Sequence, residues 1–430
     1  MKQHKLIVIS LDSLGFRDLN ELRQLTPTLA KLIKQGTWVK KVTGIFPTLT
    51  YPSHTSIITG QYPAVHGIIN NTKLQPRRQS PDWFWYRKDI KAMPLYDVAR
   101  EKGLTTAAFL WPVTAGSKIN YNLAEIFPNR IWTNQVLVSL KASSPLFLYE
   151  MNKKYGKLRH GIKQPWLDDF VTACAVDTIK NKQPDLTLIH LVDMDSMRHR
   201  YGVRSIQARE ALQRLDKRVA KIIQATKDAS TYDQTDFVVL GDHYQINVDK
   251  MIHLNMLFAD HGLLHPLSHK STYRDNWQVT AKTCDGETYI YTRGAIDRGK
   301  LKQMIAGVEG VEKIYDNATA IKRGADPQCT FLVEAKPGYY FTDEVNRPAI
   351  VEQVNPKTIG TPDRYRGVHG YGPTQANYYT TAVFAGPQIK CGATVESAQL
   401  VDEGPTFAKI LGLHYPAPTA GQVIDAIFKE

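Results

Sequence analysis

The chain has 430 residues, 43% of them apolar and 22% charged, with a formal net charge of +13. That length can bury a large core or two to three domain-sized units, the positive balance favours anionic partners, and no run approaches the roughly 18 apolar residues of a membrane span. The four cysteines (Cys174, Cys284, Cys329, Cys391) lie too far apart for a Cys-rich zinc module or a disulfide framework, and read as buried or inert thiols.

In chain order, Met1-Lys2-Gln3-His4-Lys5 runs directly into Leu6–Leu11 and then Asp12. This apolar run is too short for a signal peptide and lacks a small-residue cleavage site, so it reads as a buried strand and the expected location is the cytoplasm. Thr26–Lys34 has helical periodicity. In Phe46–Gly60, Pro52 suits a first helical turn and Gly60 its end. Lys73–Lys91 gathers Arg77, Arg78, Trp83, Trp85, Arg87 and Lys88, and reads as a solvated or lid-like loop rather than a nucleic-acid patch. Further strands are expected at Thr105–Leu110, Leu186–Leu191, Phe237–Leu240 and Thr380–Phe384, and further helices at Leu95–Lys102, Asp168–Lys180 and Ser205–Lys227. The strands are mostly continuous apolar runs, as expected where both faces are covered. Strands alternating with helices predict a doubly wound, mostly parallel α/β sheet flanked by helices, with ligands at the carboxyl ends of the strands. Residues 262–350 depart from this pattern: Glu287–Thr292 and Thr330–Ala335 read as strands and Ile296–Val308 as a helix. They are expected to form a small α+β insertion in a core built from 1–261 and 351–430.

Four places carry possible chemistry. Asp195 and His199 stand four apart just after a strand; on a helical turn they share a face and could ligate one zinc ion. Alone, a surface Asp–His pair is the commoner origin of that spacing. Asp242-His243 follows a buried strand directly. His369 sits in the glycine-rich Gly367–Gly372 segment, where an incidental turn histidine is the plainer explanation. Asp12 ends the first strand and could merely cap a turn. Together they supply three aspartates and three histidines, enough for two metal ions with open positions. Thr50, expected at a helix N-terminus, has a hydroxyl that a bound metal could activate; an N-cap threonine is the plainer reading of it alone.

Taken with Tyr62–Asn71 and Trp111-Pro112, these motifs resemble the alkaline phosphatase superfamily and, within it, the nucleotide pyrophosphatase/phosphodiesterase family. The resemblance covers nearly the whole chain. It implies that Asp12, Thr50, Asp242 and His243 hold one divalent ion and Asp195, His199 and His369 the other, zinc first, with manganese or iron able to substitute. It also implies that Thr50 is the nucleophile, that Asn71 donates to a phosphate oxygen, and that Tyr51 lines the leaving-group pocket. The implied partner is a small phosphorylated or nucleotide substrate, with no specific nucleic-acid partner. His54 and His66 belong to the motifs and read as structural. Two positions depart from the family, which usually has glycine where this chain has Tyr244 and often has it where this chain has Arg198. Both could reshape the rim; Arg198, one residue before a ligand, is expected to face solvent. A sulfatase would need Cys or Ser and an arginine in Thr50-Tyr51-Pro52-Ser53-His54, and neither is there. A phosphonoacetate hydrolase-like activity and a non-catalytic phosphate- or nucleic-acid-binding module are the alternatives.

Overall fold

A computed structural model describes residues 4–130 and 134–430; the Met1-Lys2-Gln3 part of the N-terminal flank lies outside them. The apolar runs form the centre of one eight-stranded sheet. Its strands are β1 (Lys5–Leu11), β2 (Thr37–Thr43), β3 (Thr106–Phe109), β4 (Tyr121–Leu123), β5 (Leu186–Leu191), β6 (Thr235–Leu240), β7 (Thr380–Ala385) and β8 (Ala393–Gln399). In space they run β8-β2-β7-β6-β1-β5-β3-β4. β7 is antiparallel to both its neighbours, and the other pairings are parallel.

The helices that matter for the site are α1 (Pro27–Gln35), α2 (Thr50–Thr59), α3 (Leu95–Glu101), α4 (Trp166–Asn181), α5 (Asp193–Tyr201) and α6 (Ile206–Asp228). Successive side chains of a strand point to opposite faces, and β1 divides accordingly. Leu6 and Val8 pack with Ile57, Ile58 and Leu95 of α2 and α3. Ile7, Ile9 and Leu11 pack with Leu29, Val171 and Leu212 of α1, α4 and α6. Covering on both sides explains why β1 is apolar without alternation. The sheet is the doubly wound, mostly parallel one expected.

Three adjacent parallel strands lead into candidate site residues. Ser10 of β1 is in register with His190 of β5 and Leu240 of β6, so the three strands end level. Asp12, Asp195 and Asp242 therefore emerge along one edge. β7 runs the other way and starts at that edge, which brings the loop before it, with His369, to the same place.

Between β6 and β7, strands Val279–Cys284, Glu287–Thr292, Val311–Asp316 and Phe331–Ala335 form a separate antiparallel sheet. A helix at Arg298–Ala306 accompanies it. Lys250–Ile252 bonds both to Tyr339–Phe341, within 262–350, and to Val351–Gln353, on the other side of it. Cys174, Cys284 and Cys329 are buried, but Cys391 is exposed, because it lies in the loop leading into the edge strand β8. Among the described residues no helix is long and apolar enough to cross a membrane.

Candidate active site

Two groups of ligating side chains lie side by side. Asp12, Asp242 and His243 form one, and Asp195, His199 and His369 the other; within each, one ligand atom per residue falls within 4.8 Å of the rest. In the first, His243 Nε2 is 3.3 Å from both Asp12 Oδ1 and Asp242 Oδ2. In the second, His199 Nε2 is 3.4 Å from Asp195 Oδ1. The His243 and His369 rings lie 4.1 Å apart, tilted by 34°, and join the two groups. Asp12 Oδ1 and Asp242 Oδ2 are buried and accept no hydrogen bond. Burial, then the neighbouring carboxylates, with Asp195 first for Asp12 and Asp12 first for Asp242, raises both acids well above the usual range. Buried oxygens that converge without donors suit a divalent cation, which would restore the ionised form.

The second group carries its own charge balance. Burial opposes charge on both Asp195 and His199, yet each holds the other ionised. The Asp195 acid is kept well below the carboxylate range and the His199 imidazole is lifted to about 9. His199 Nδ1–H donates to the Gly367 carbonyl at 2.8 Å, which leaves Nε2 as the nitrogen able to ligate once a metal ion displaces its proton. Burial pushes His369 down to about 3, so its ring is neutral and able to ligate.

Helix α2 begins at Thr50 and ends at Gly60, whose φ of 63° is left-handed. Thr50 Oγ1 lies 3.1 Å from His243 Nε2, at the first group and at the amino end of the helix. Asn71 Oδ1 accepts the Tyr51 N–H at 2.9 Å, leaving its NH2 as the end able to donate. The loop before α2 is tied to the histidine loop: Thr48 Oγ1 donates to Tyr371 O at 2.7 Å and Gly370 N–H to Thr48 O at 3.0 Å. Gly370 has φ 81°, and a Cβ there would stand 1.7 Å from the Cys284 carbonyl oxygen, so only glycine fits.

Tyr51, beside Thr50, is 1% exposed, and Trp83 lies against it with ring centroids 5.2 Å apart. The Lys73–Lys91 segment is divided, with Arg77, Arg78 and Lys88 exposed and Trp83, Trp85 and Arg87 packed. Trp85 is buried, Arg87 pairs with Asp97 at 2.6 Å and Lys73 with Asp89 at 2.9 Å. Its aromatic residues find an apolar neighbour in Phe127.

Arg198 does not face solvent. It is 2% exposed, donates to Ser13 O, to Ser13 Oγ (2.9 Å) and to Asp18 Oδ1 (2.5 Å), and lies 4.9 Å from the centroid of the Tyr244 ring. The back of α5 is covered by the 13–18 turn, so turning away from the ligands means turning into the protein. Tyr244 fits because residue 15 is glycine; a Cβ there would meet its ring at 2.3 Å. Both departures from the family thus pack together beneath the site rather than on its rim. Removing the cation would leave Asp18 buried and unpaired. Arg198→Met should therefore lose about 3–5 kcal/mol in urea unfolding, and a loss within about 0.5 kcal/mol would contradict the packing described.

Several supporting residues carry no motif. Asp168 on α4 accepts from the N–H groups of Val192 (3.2 Å) and Asp193 (3.0 Å), while Arg214 and Arg218 of α6 grip Asp193. These contacts fix the start of α5 and hence Asp195, which also accepts from Gln245 Nε2 at 2.5 Å. His190 Nε2 stands 3.1 Å from Asp12 Oδ2. Asp285, from the turn of the second sheet, reaches within 3.7 Å of His369 Nδ1 and is raised to about 7 by burial. An aspartate-glycine pair between two strand signals was the available hint for Asp285.

The motif histidines are internally bonded. His54 Nδ1–H donates to Thr50 O at 2.8 Å, and its Nε2 meets Ser10 Oγ at 2.9 Å. Ile68 N–H donates to His66 Nδ1 at 3.1 Å, so Nε2–H is left to donate to Ser56 Oγ at 2.9 Å. Burial lowers His66 from 6.5 to about 3. A depressed pKa means that the unfolded chain binds more protons between those values, so stability is full above 6.5 and is lost as pH falls towards 3. At pH 4.5 that amounts to roughly 2–3 kcal/mol. The urea midpoint should fall more between pH 7 and 4.5 in the metal-free parent than in metal-free His66→Gln; equal falls would contradict this.

Comparison with known proteins agrees with this geometry. The family model for type I phosphodiesterase/nucleotide pyrophosphatase matches residues 6–372. Human ectonucleotide pyrophosphatase/phosphodiesterase family member 1 is 27% identical over 269 residues, covering 59% of this chain and 25% of that protein. Human family member 7 is 21% identical over 96% of this chain and 80% of its own length. This chain thus spans about a quarter of the length of the first of these relatives. The structure of human ectonucleotide pyrophosphatase/phosphodiesterase 5 superposes with a TM-score of 0.69 at 20% identity, covering 100% of both chains. An inactive variant of the murine protein in complex with AMP gives 0.67 at 18%, covering 98% of each. With the alkaline phosphatase-like fold shared along its length and the family's sequence pattern matched from residue 6 to 372, the chain belongs to the type I phosphodiesterase/nucleotide pyrophosphatase family.

Proposed function

We propose that the protein hydrolyses nucleotide phosphodiesters or pyrophosphates, with Thr50 as the nucleophile. The observation that carries this reading is the Thr50 hydroxyl at a helix amino end, 3.1 Å from His243 and beside two acid–histidine groups. Asp12, Thr50, Asp242 and His243 would hold one ion and Asp195, His199 and His369 the other, with zinc favoured by the mix of imidazole and carboxylate. Such ions would lower the pKa of the threonine hydroxyl and offset charge on the phosphoryl oxygens. Thr50 Oγ attacks phosphorus in line, the bond to the departing oxygen breaks, and a phosphothreonine ester is left. Water then attacks the same phosphorus from the vacated side and frees Thr50 and a monoester product. The Asn71 NH2 donates to an equatorial oxygen throughout. Residues 1–261 and 351–430 serve as the catalytic core in this reading, with 262–350 as an inserted unit whose Asp285 turn steadies His369.

The substrate preference follows from charge. A monoester dianion presents one more free, charged oxygen than a diester, and Asn71 is neutral. Arg198 is committed to Asp18. A nucleotide aryl diester should therefore exceed the matching monoester in kcat/KM by at least roughly tenfold, about 1.4 kcal/mol. A panel of nitrophenyl nucleotide diester, monoester, dinucleotide polyphosphate and phosphonoacetate checks this. Equal or reversed efficiencies would reject a diesterase pocket, a preference for phosphonoacetate would point to C–P hydrolysis, and no turnover by metal-loaded protein would point to a binding module.

A further inference from the structure

Seven of the eleven exposed large hydrophobic side chains among the described residues fall between positions 136 and 166. They lie on the helices Gln135–Ala142 and Pro145–Tyr155, on the turn and loop that lead into α4, and on its first residue, Trp166. The second helix is divided by its period. Phe147 and Met151 enter the core under the sheet, while Leu146, Tyr149 and Lys153 point the other way. Leu146 is 86% exposed and Ile162 is 70% exposed. The loop folds back on this helix: Arg159 Nη2 donates to Asn152 Oδ1 at 2.9 Å, and His160 packs on Trp166 with rings 4.9 Å apart. These contacts hold the loop against the second helix and against the start of α4, so that the loop and the helix present a common face.

The charge of this face is predominantly positive. Residues 134–166 contain six Lys or Arg and a single acid, Glu150, which pairs with Lys154 at 2.9 Å. Lys141, Lys153, Lys157 and Lys163 are exposed, and none of them forms an ion pair among the described residues. The surface also adjoins the site. Gln135 Nε2 donates to Ile126 O at 3.0 Å, and Ala142 is buried in the cluster that holds Tyr51 and Trp85.

We propose that this face docks the protein onto an anionic phospholipid bilayer, lying in the interface without crossing it. Apolar side chains that stand singly among lysines match a bilayer, which accepts them without shape complementarity while the ammonium groups reach the headgroups. A second copy of the chain fits poorly, because a two-fold contact would set the four lysines against their own copies. The inference does not depend on the phosphodiesterase reading, since binding is measured without turnover.

Cosedimentation of the whole protein with vesicles tests it. Vesicles containing about one-third phosphatidylserine should bind at least roughly tenfold better than phosphatidylcholine alone, and raising salt from about 0.1 M to about 0.5 M should release the protein. L146S/I162S and K153E/K157E/K163E should each weaken that binding about tenfold while turnover of a soluble diester stays at the parent level. Equal binding to both vesicle types, no binding, or binding that neither variant weakens would overturn the proposal. So would a dimer in sedimentation velocity that L146S/I162S dissociates, or retention by soluble polyglutamate equal to that by vesicles.

Discussion

Thr50→Ala should abolish turnover of a nucleotide diester, with kcat/KM down roughly a thousandfold or more, at least about 4 kcal/mol of transition-state stabilisation. The fold should survive. The hydroxyl contacts His243 Nε2, whereas the helix start depends on backbone bonds such as Ser53 N–H to Leu49 O at 2.9 Å. Metal content should change little, because Asp12, Asp242 and His243 remain. Thr50→Ser keeps the attacking oxygen and should retain measurable activity. Near-normal turnover by folded, metal-loaded Thr50→Ala would remove Thr50 from the reaction. Reduced turnover accompanied by loss of metal would instead make it chiefly a ligand.

The second large effect concerns the ions. Elemental analysis should find two divalent metals per active chain, zinc foremost, and prolonged chelation should remove activity that added zinc restores. His369→Ala should retain about one ion and Asp242→Asn about one, each with activity reduced at least roughly a hundredfold. The two variants should differ in which ion they lose, seen as two separate affinities on titrating the apoprotein with zinc. Fully active protein devoid of transition metal would reject the arrangement.

Much of this was legible in the chain because the central strands are buried on both faces. Leu186–Leu191 has the bounds read from its apolar run, and Asp12, Asp195, Asp242 and His243 all follow such runs closely. The outer strands were not legible. Thr37–Thr43 holds two lysines, and Ala393–Gln399 is largely exposed at the sheet edge, so neither forms an apolar run. The direction of β7 has no signature in composition either, although it decides where His369 arrives. The burial of Arg198 is not legible in the sequence, because a one-dimensional pattern gives the angle of a side chain about its helix, not what covers that side. The grip of Asp168, Arg214 and Arg218 on the start of α5 depends on which helices become neighbours, which only the fold decides.

The level ending of β1, β5 and β6 has a dynamic consequence. Asp12, Asp242 and His243 hang from two adjacent hydrogen-bonded central strands, β1 and β6, so separating them means breaking the middle of the sheet. His369 hangs from a loop fastened by Gly370 N–H to Thr48 O and by Gly286 N–H to its own carbonyl, both at 3.0 Å. Local opening at those two bonds would release one ligand of the second group while the sheet stays intact. Of two bound ions, the one held by Asp195, His199 and His369 should exchange with solution faster. Its residence time would be set in part by the turn at Asp285-Gly286, far along the chain from the strands that build the rest of the site.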